Sequence, residues 1–251
     1  MRTQKNPLWI TAVLSAATLL TVTGCASAET SQPKTSSATK TATATPTPTF
    51  DKTAHSIDDP SSIWVVSNKL RPLNPIDFRP ANLSMPVGVE NEFNHPLSEP
   101  AARAVEQMVA AAAAEGVSMH IISGFRDYGL QQGLYNKYVA RDGQAAADTY
   151  SARPGHSEHQ TGLAIDFDDH GNCYLNACFA ETAAGKWLSA NAAKFGFINR
   201  YPAGTESITG FQFEPWHYRY VGPELAAEMQ RTGVNTLEQF FGLPNAPTYA
   251  N

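Results

Sequence analysis

Four side chains in this sequence, His159, Asp166, Glu214 and His217, have the types and spacing of a hydrolytic metal centre. Two imidazoles and one carboxylate form a borderline ligand set suited to Zn²⁺, and three protein ligands leave a fourth position for water. Gly162 permits a sharp turn between His159 and the apolar run that ends in Asp166, so both side chains can face one point. His217 would enter from a neighbouring strand. Glu214, three residues earlier, is a carboxylate able to take a proton from water at such a centre and pass it to a leaving amine. Pro215 and Trp216 stiffen the turn between them. Taken singly, a Glu-x-x-His spacing is common, and an aspartate closing an apolar strand is more often a cap or a surface residue. Their joint occurrence is what carries the reading.

The elements that must hold these residues follow from caps and periodicity. Ser98 can cap a helix running through Glu115 and closed by Gly116. Short strands are predicted at Met119–Ser123, Leu163–Phe167, Phe197–Arg200 and Trp216–Val221. Further helices are predicted at Leu130–Arg141, Thr182–Lys194 and Pro223–Arg231. Helices come early and irregular loops separate the strands, which points to α+β, a small antiparallel sheet flanked by helices, over a regular doubly wound sheet.

The chain of 251 residues is 42% hydrophobic, 10% aromatic and only 16% charged, which excludes a highly charged disordered protein. A formal net charge of −5 without a long basic run excludes nucleic acid held by phosphate contacts. No glycine-rich phosphate loop or Gly-x-Ser-x-Gly elbow is present.

The stretch Ser157-Glu158-His159-Gln160-Thr161-Gly162-Leu163-Ala164-Ile165-Asp166 resembles the Ser-x-His-x-x-Gly-x-Ala-x-Asp signature of VanY-type zinc D-alanyl-D-alanine carboxypeptidases. These belong to the wider lysostaphin/D-Ala-D-Ala peptidase/hedgehog-like group. Glu214-Pro215-Trp216-His217 is similar to their second signature, Glu-x-Trp-His, and the likeness runs from about Ile63 to about Gly222. The resemblance implies zinc on His159, Asp166 and His217, with Glu214 as catalytic base, in a small hedgehog/D-Ala-D-Ala peptidase-like α+β domain. A third segment, Ser123-Gly124-Phe125-Arg126-Asp127-Tyr128-Gly129-Leu130-Gln131, is similar to the family's Ser-Gly-Tyr-Arg-Ser-Tyr-x-x-Gln, with Phe125 and Asp127 as departures. By that likeness Arg126 binds substrate and stabilises the oxyanion, a task that suits a fork of guanidinium donors. The plainer alternative is that Arg126 pairs with Asp127 or caps the helix. Gln131 is expected to contact the peptide or the Ser157 loop, Ser157 to hydrogen-bond substrate, and Asp127 to tune substrate preference.

Of the other histidines, His156 adjoins a ligand, but a fourth protein ligand would close the water position. His55, His95, His120 and His170 have no motif around them and read as surface or packing residues. Asp168 and Asp169 are expected to begin a turn with Gly171. Cys173 and Cys178 enclose four residues and either form a local disulfide that shapes the cleft rim or remain two buried thiols.

Residues 1–24 have the form of a signal peptide: Arg2 and Lys5 precede an apolar run from Leu8 to Val22. Val22-Thr23-Gly24-Cys25 resembles a bacterial lipobox, which makes Cys25 the lipidated N-terminus; the alternative is an ordinary secretory signal with an incidental cysteine. Residues 25–54 form a tether: 20 of the 25 residues from Ala26 to Phe50 are Ala, Ser, Thr or Pro, too little apolar surface to offset ordering entropy. Residues 55–251 form one catalytic domain. The expected protein is a monomer, lipid-anchored on the outer face of the bacterial membrane and facing the wall. Its expected reaction is removal of the terminal D-Ala from peptidoglycan stem peptides, with L,D-carboxypeptidase, endopeptidase and non-catalytic wall-binding lipoprotein as the alternatives.

Overall fold

The computed structural model describes residues 49–250. The signal, Cys25 and most of the tether lie outside the described residues. The packed chain begins earlier than residue 55: Phe50 stacks on Trp64, with ring centroids 5.6 Å apart, and meets Phe240 edge-on. The end of the tether is therefore part of the domain, because its one aromatic residue finds an apolar seat.

In chain order the elements are β1 (Leu83–Ser84), β2 (Leu97–Ser98), α1 (Glu99–Ala114), β3 (His120–Ser123), α2 (Tyr128–Asp142), α3 (Gln144–Ala147), β4 (Ala164–Asp168), α4 (Ala183–Asn191), β5 (Phe197–Asn199), α5 (Glu206–Thr209), β6 (His217–Tyr220), α6 (Pro223–Thr232) and α7 (Leu237–Phe241). β1 and β2 pair as a two-stranded piece, and the main sheet is antiparallel throughout in the order β3-β4-β6-β5. The architecture is α+β with small antiparallel sheets, as the irregular alternation of helices and strands predicted.

α1 follows Ser98, with a proline in its first turn and Glu99 near its N-terminus, where a negative charge meets the helix dipole. Its buried residues Ala101, Ala102, Val105, Met108 and Ala112 fall on one helical face. That face packs in one core with Ile121, Ile165, Phe167, Trp187, Leu188, Phe197, Tyr218 and Tyr220 from the sheet and α4. Successive strand residues point to opposite faces. With Ile165 and Phe167 turned to this core, Asp166 and Asp168 share the other face of β4. Likewise Tyr218 and Tyr220 leave His217 and Arg219 on that same side of β6. A second core joins Trp64, Val66, Val221, Leu225, Met229, Leu237 and Phe240.

Boundaries differ from expectation where capping intervenes. α2 starts at Tyr128, two residues before Leu130, because the Asp127 side chain accepts from the Leu130 amide and caps the helix. The helix expected through Lys194 gives way after Asn191 to a 3₁₀ turn over Ala192–Phe195, which ends at Gly196 in the left-handed region. α7 has no counterpart in the sequence reading, since five residues are too few to show a period. No helix among the described residues is long and apolar enough to cross a membrane.

Candidate active site

The Asp166 carboxylate is placed by β4, directly opposite His217 on β6. His159 sits in a 3₁₀ turn, Glu158–Thr161, that Gly162 ends with φ +69°. At Gly162 a side chain would also meet the Ser98 amide nitrogen at 2.8 Å, so both conformation and space call for glycine here. The turn returns the chain into β4, and its three consequences are a short path, a common facing direction and a common site for His159 and Asp166.

His159 Nε2 lies 3.2 Å from Asp166 Oδ2, and His217 Nδ1 lies 2.9 Å from Asp166 Oδ1. Donor atoms of His159, Asp166 and His217 all fall within 4.8 Å of one another, and all three residues are buried. The other nitrogen of His159, Nδ1, is 2.7 Å from the Gly124 carbonyl oxygen. That carbonyl can only accept, so Nδ1 carries the proton and Nε2 keeps its lone pair for a ligand role. His217 is the mirror case: Nδ1 faces the centre, while Nε2 is buried and points at Glu158 Oε2 from 3.7 Å.

The electrostatics favour a cation at this point. Burial, then the nearby Arg126 charge, pushes His159 down to about 4, despite Asp166. Burial works against protonating His217 as well, yet the hydrogen bond to Asp166 and the negative charge of the facing Glu158 carboxylate outweigh it and raise the ring to about 9. Asp166 is also opposed by burial, but the two imidazoles hold it well below the usual carboxylate range. A buried carboxylate that draws positive charge onto one of two neutral ligands has the electrostatics of a cation site. The residues fit zinc in type, number and burial.

Glu214 Oε2 is 3.9 Å from His217 Nδ1. Burial raises its carboxyl most; the Asp166 charge adds to this, His217 and Arg126 oppose it, and the result is about 8. Its position is fixed through its backbone: Asn199 Nδ2 donates to the Glu214 carbonyl at 2.7 Å, and the Glu214 amide donates to Tyr201 O at 3.1 Å. The His217 amide closes the turn back onto Glu214 O at 3.2 Å.

Arg126 follows β3 and points inward. Its Nη1 donates to Ser123 Oγ at 2.5 Å and lies 3.7 Å from Asp166 Oδ2, while Nε donates to Gln131 Oε1 at 3.0 Å. The pairing with Asp127 does not occur; Asp127 caps α2 and lies 3.5 Å from Arg79 on its far side. Asp127 caps the helix and is not among the residues that line the cavity. Gln131 is buried under Arg126 and donates to Ala152 O at 2.7 Å, so it ties the guanidinium to the loop that leads to Ser157. Arg126, Ser157, Glu214 and the three ligand residues line one cavity of about 420 Å³, with Tyr138, Tyr150, Tyr201 and Leu175 on its walls. His156 is held elsewhere, with Nδ1 2.7 Å from Asn68 O.

Leu175 belongs to the loop closed by a Cys173–Cys178 disulfide, with a Cα–Cα distance of 5.4 Å. The bridge fixes one rim of the cavity.

A buried ion network supports the ligands, and the sequence reading missed it. Glu158 Oε1 accepts from Arg200 Nε at 2.8 Å and Arg219 Nη1 at 2.7 Å. Arg200 also pairs with Glu238 at 2.7 and 3.0 Å, and Glu238 accepts from Asn68. Two carboxylates and two guanidiniums, with fully buried side chains in all three salt-bridged pairs, balance one another. Glu158 occupies a variable position of the first signature, so spacing alone gave no sign that it lies behind His217.

Three convergent side chains able to hold a metal ion, beside a buried carboxyl and an inward guanidinium, are parts from which a hydrolytic metal centre can be built. The chain belongs to the VanY family of D-alanyl-D-alanine carboxypeptidases, whose match covers residues 94–223. It is 40% identical over 192 residues to YodJ of Bacillus subtilis (strain 168), taking in 74% of this chain and 69% of that one. Among solved structures, the LdcB LD-carboxypeptidase superposes with a TM-score of 0.68 at 39% identity, covering 74% of this chain and 88% of that one. A vancomycin resistance D,D-pentapeptidase VanY in complex with Zn(II) gives 0.59 at 32%, covering 70% and 97%. The chain spans 52% and 43% of the length of the D-alanyl-D-alanine carboxypeptidases it matches from Enterococcus faecalis and Enterococcus faecium.

Proposed function

We propose that this protein is a zinc-dependent D,D-carboxypeptidase that removes the terminal D-alanine from peptidoglycan stem peptides. The observation that carries the reading is the convergence of His159, Asp166 and His217 on the cavity that also holds Glu214 and Arg126. Zinc held by those three residues supplies Lewis acidity to the scissile carbonyl and to a water molecule. Glu214 takes the proton from that water on its carboxylate and delivers it to the amine of the departing D-alanine. With the metal site loaded, Glu214 would release that proton more readily than its burial alone allows, as a base must. Arg126, oriented by Ser123 and Gln131, faces the negative end of the substrate or the developing oxyanion. Ser157 offers a hydroxyl to the peptide from the cavity wall.

A second reading is an L,D-carboxypeptidase acting on tetrapeptide stems, and the higher likeness to LdcB favours it. Released D-alanine separates the two. The purified protein with zinc is expected to act on a pentapeptide stem; release from the tetrapeptide alone transfers the function to the second reading. If neither stem is cut, the hydrolytic reading fails in favour of wall binding without catalysis.

We also propose that cleavage before Cys25 and lipidation of Cys25 anchor the protein on the outer face of the membrane. The sequence Val22-Thr23-Gly24-Cys25 supports this, and membrane fractionation of Cys25→Ser tests it, with release into the soluble fraction expected.

A further inference from the structure

Asp168 stands two residues beyond Asp166 on the same face of β4, and it too faces an imidazole across the sheet: its register partner is His120 on β3. His170 follows after one residue, in the left-handed region at φ +60°, held by its own amide donating to Asp168 Oδ2 at 2.9 Å. That backbone lays the His170 ring on the His120 ring, with centroids 3.7 Å apart and planes 6° from parallel. Donor atoms of His120, Asp168 and His170 lie within 4.8 Å of one another.

Two further observations point to a ligand. His120 Nδ1 and Asp168 Oδ1 are buried and have no hydrogen-bond partner, on residues only 2% and 3% exposed. A buried carboxylate oxygen and ring nitrogen left unmet are costly, and a cation answers both. The surroundings are also negative. Glu92 Oε2 is 3.9 Å from His120 Nε2 and Glu90 Oε1 is 3.0 Å from His170 Nε2. The segment bearing both glutamates is fixed alongside β3, since Ile121 N donates to Glu90 O and Glu92 N to Ile121 O.

We propose that His120, Asp168 and His170 form a second divalent-metal site, separate from the catalytic centre. Two imidazoles and a carboxylate select zinc or a neighbouring late transition metal over calcium or magnesium, which take oxygen ligands. Stacked rings send their lone pairs along parallel lines, so one ring swings out of the stack on binding. His170 is the ring that moves: its side chain is 56% exposed, whereas His120 is held inside the sheet. The ion ties β3 and β4 to His170, in the segment leading into the Cys173–Cys178 loop, whose Leu175 walls the catalytic cavity. It acts as a structural pin for that rim.

The test is zinc stoichiometry on the untagged full chain, stripped with chelator and titrated with zinc chloride alone. Calorimetry and elemental analysis are expected to give two equivalents for the unaltered protein. His170→Ala, at an exposed ring, and Asp168→Asn are each expected to retain one, and His217→Ala also one. The His170→Ala/His217→Ala double variant should retain none. One equivalent in the unaltered protein, or two in His170→Ala, overturns the proposal. Saturation of the site by calcium chloride would overturn the assignment to a transition metal. Because stoichiometry is read without substrate, the result stands apart from whether stems are hydrolysed.

Discussion

At the scale of single residues, the centre divides its labour between groups that touch the reacting atoms and groups that hold them. In the proposed mechanism Glu214 belongs to the first kind: its carboxyl lines the cavity and is not among the three clustered residues that could hold the metal. Glu214→Gln is therefore expected to lower kcat on a stem peptide by about 10²–10⁴-fold, the range for loss of a general base. The zinc content and melting midpoint should stay unchanged. Loss of zinc from that variant would make Glu214 a ligand and remove its proposed role. Glu158 belongs to the second kind, facing His217 Nε2 from 3.7 Å behind the ligand. Carboxylates in that position orient a ligating imidazole and raise its basicity, and their removal weakens metal affinity about 10–100-fold. Glu158→Gln is expected to show that weakening in a zinc titration. A variant with a lowered melting midpoint but unaltered zinc affinity would assign Glu158 to the fold alone.

Among the elements, the turn at Gly162 sets the centre, because it reverses the chain between His159 and β4. An alanine there meets a left-handed backbone and the Ser98 amide nitrogen at 2.8 Å. The conformational part alone costs about 1–2 kcal/mol, so Gly162→Ala should lower the melting midpoint and zinc affinity together. Gly133 supplies the contrast: it lies inside α2 with nothing within 4 Å of an added Cβ. Gly133→Ala should raise the midpoint, by the roughly 0.8–1.0 kcal/mol helix preference of alanine over glycine. Equal shifts in the two variants would remove the special status of Gly162. These elements also mark what the sequence disclosed. The strands carrying Asp166 and His217 were legible because each couples apolar alternation to a motif residue. Arg219 was not: on a strand that reads as alternating aromatic and polar, a polar position looks solvated, yet Arg219 is 0% exposed. Its burial depends on Glu158, 61 residues away in sequence. Likewise His120 and Asp168 are neighbours only through β3–β4 pairing, so local spacing offered no sign of their cluster.

At the largest scale, the ion network links the active-site residues to the second core. Glu238 lies on α7, beside Leu237 and Phe240 of that core, and its side chain reaches Arg200 next to β5. Through Arg200 the charge chain continues to Glu158 and Arg219, so packing of α7 and placement of His217 share one set of bonds. Burial raises the Glu238 carboxyl, but Arg200 and Asn68 more than reverse that and leave it below its ordinary range. A carboxyl whose folded pKa is depressed contributes stability that is fully present above its unfolded value, about 4.3. That contribution is lost as pH falls through the folded value, because protons bind the unfolded chain first. The melting midpoint is thus expected to fall as pH is lowered from about 5. Glu238→Gln removes that titration and leaves the Arg200 charge less compensated, a change that is strongly destabilising in buried pairs. The variant should melt lower than the unaltered protein at neutral pH and show a shallower acid limb. If both proteins lose stability with the same slope between pH 5 and 3, the acid response arises from other carboxyls and the network does not couple the two cores in this way.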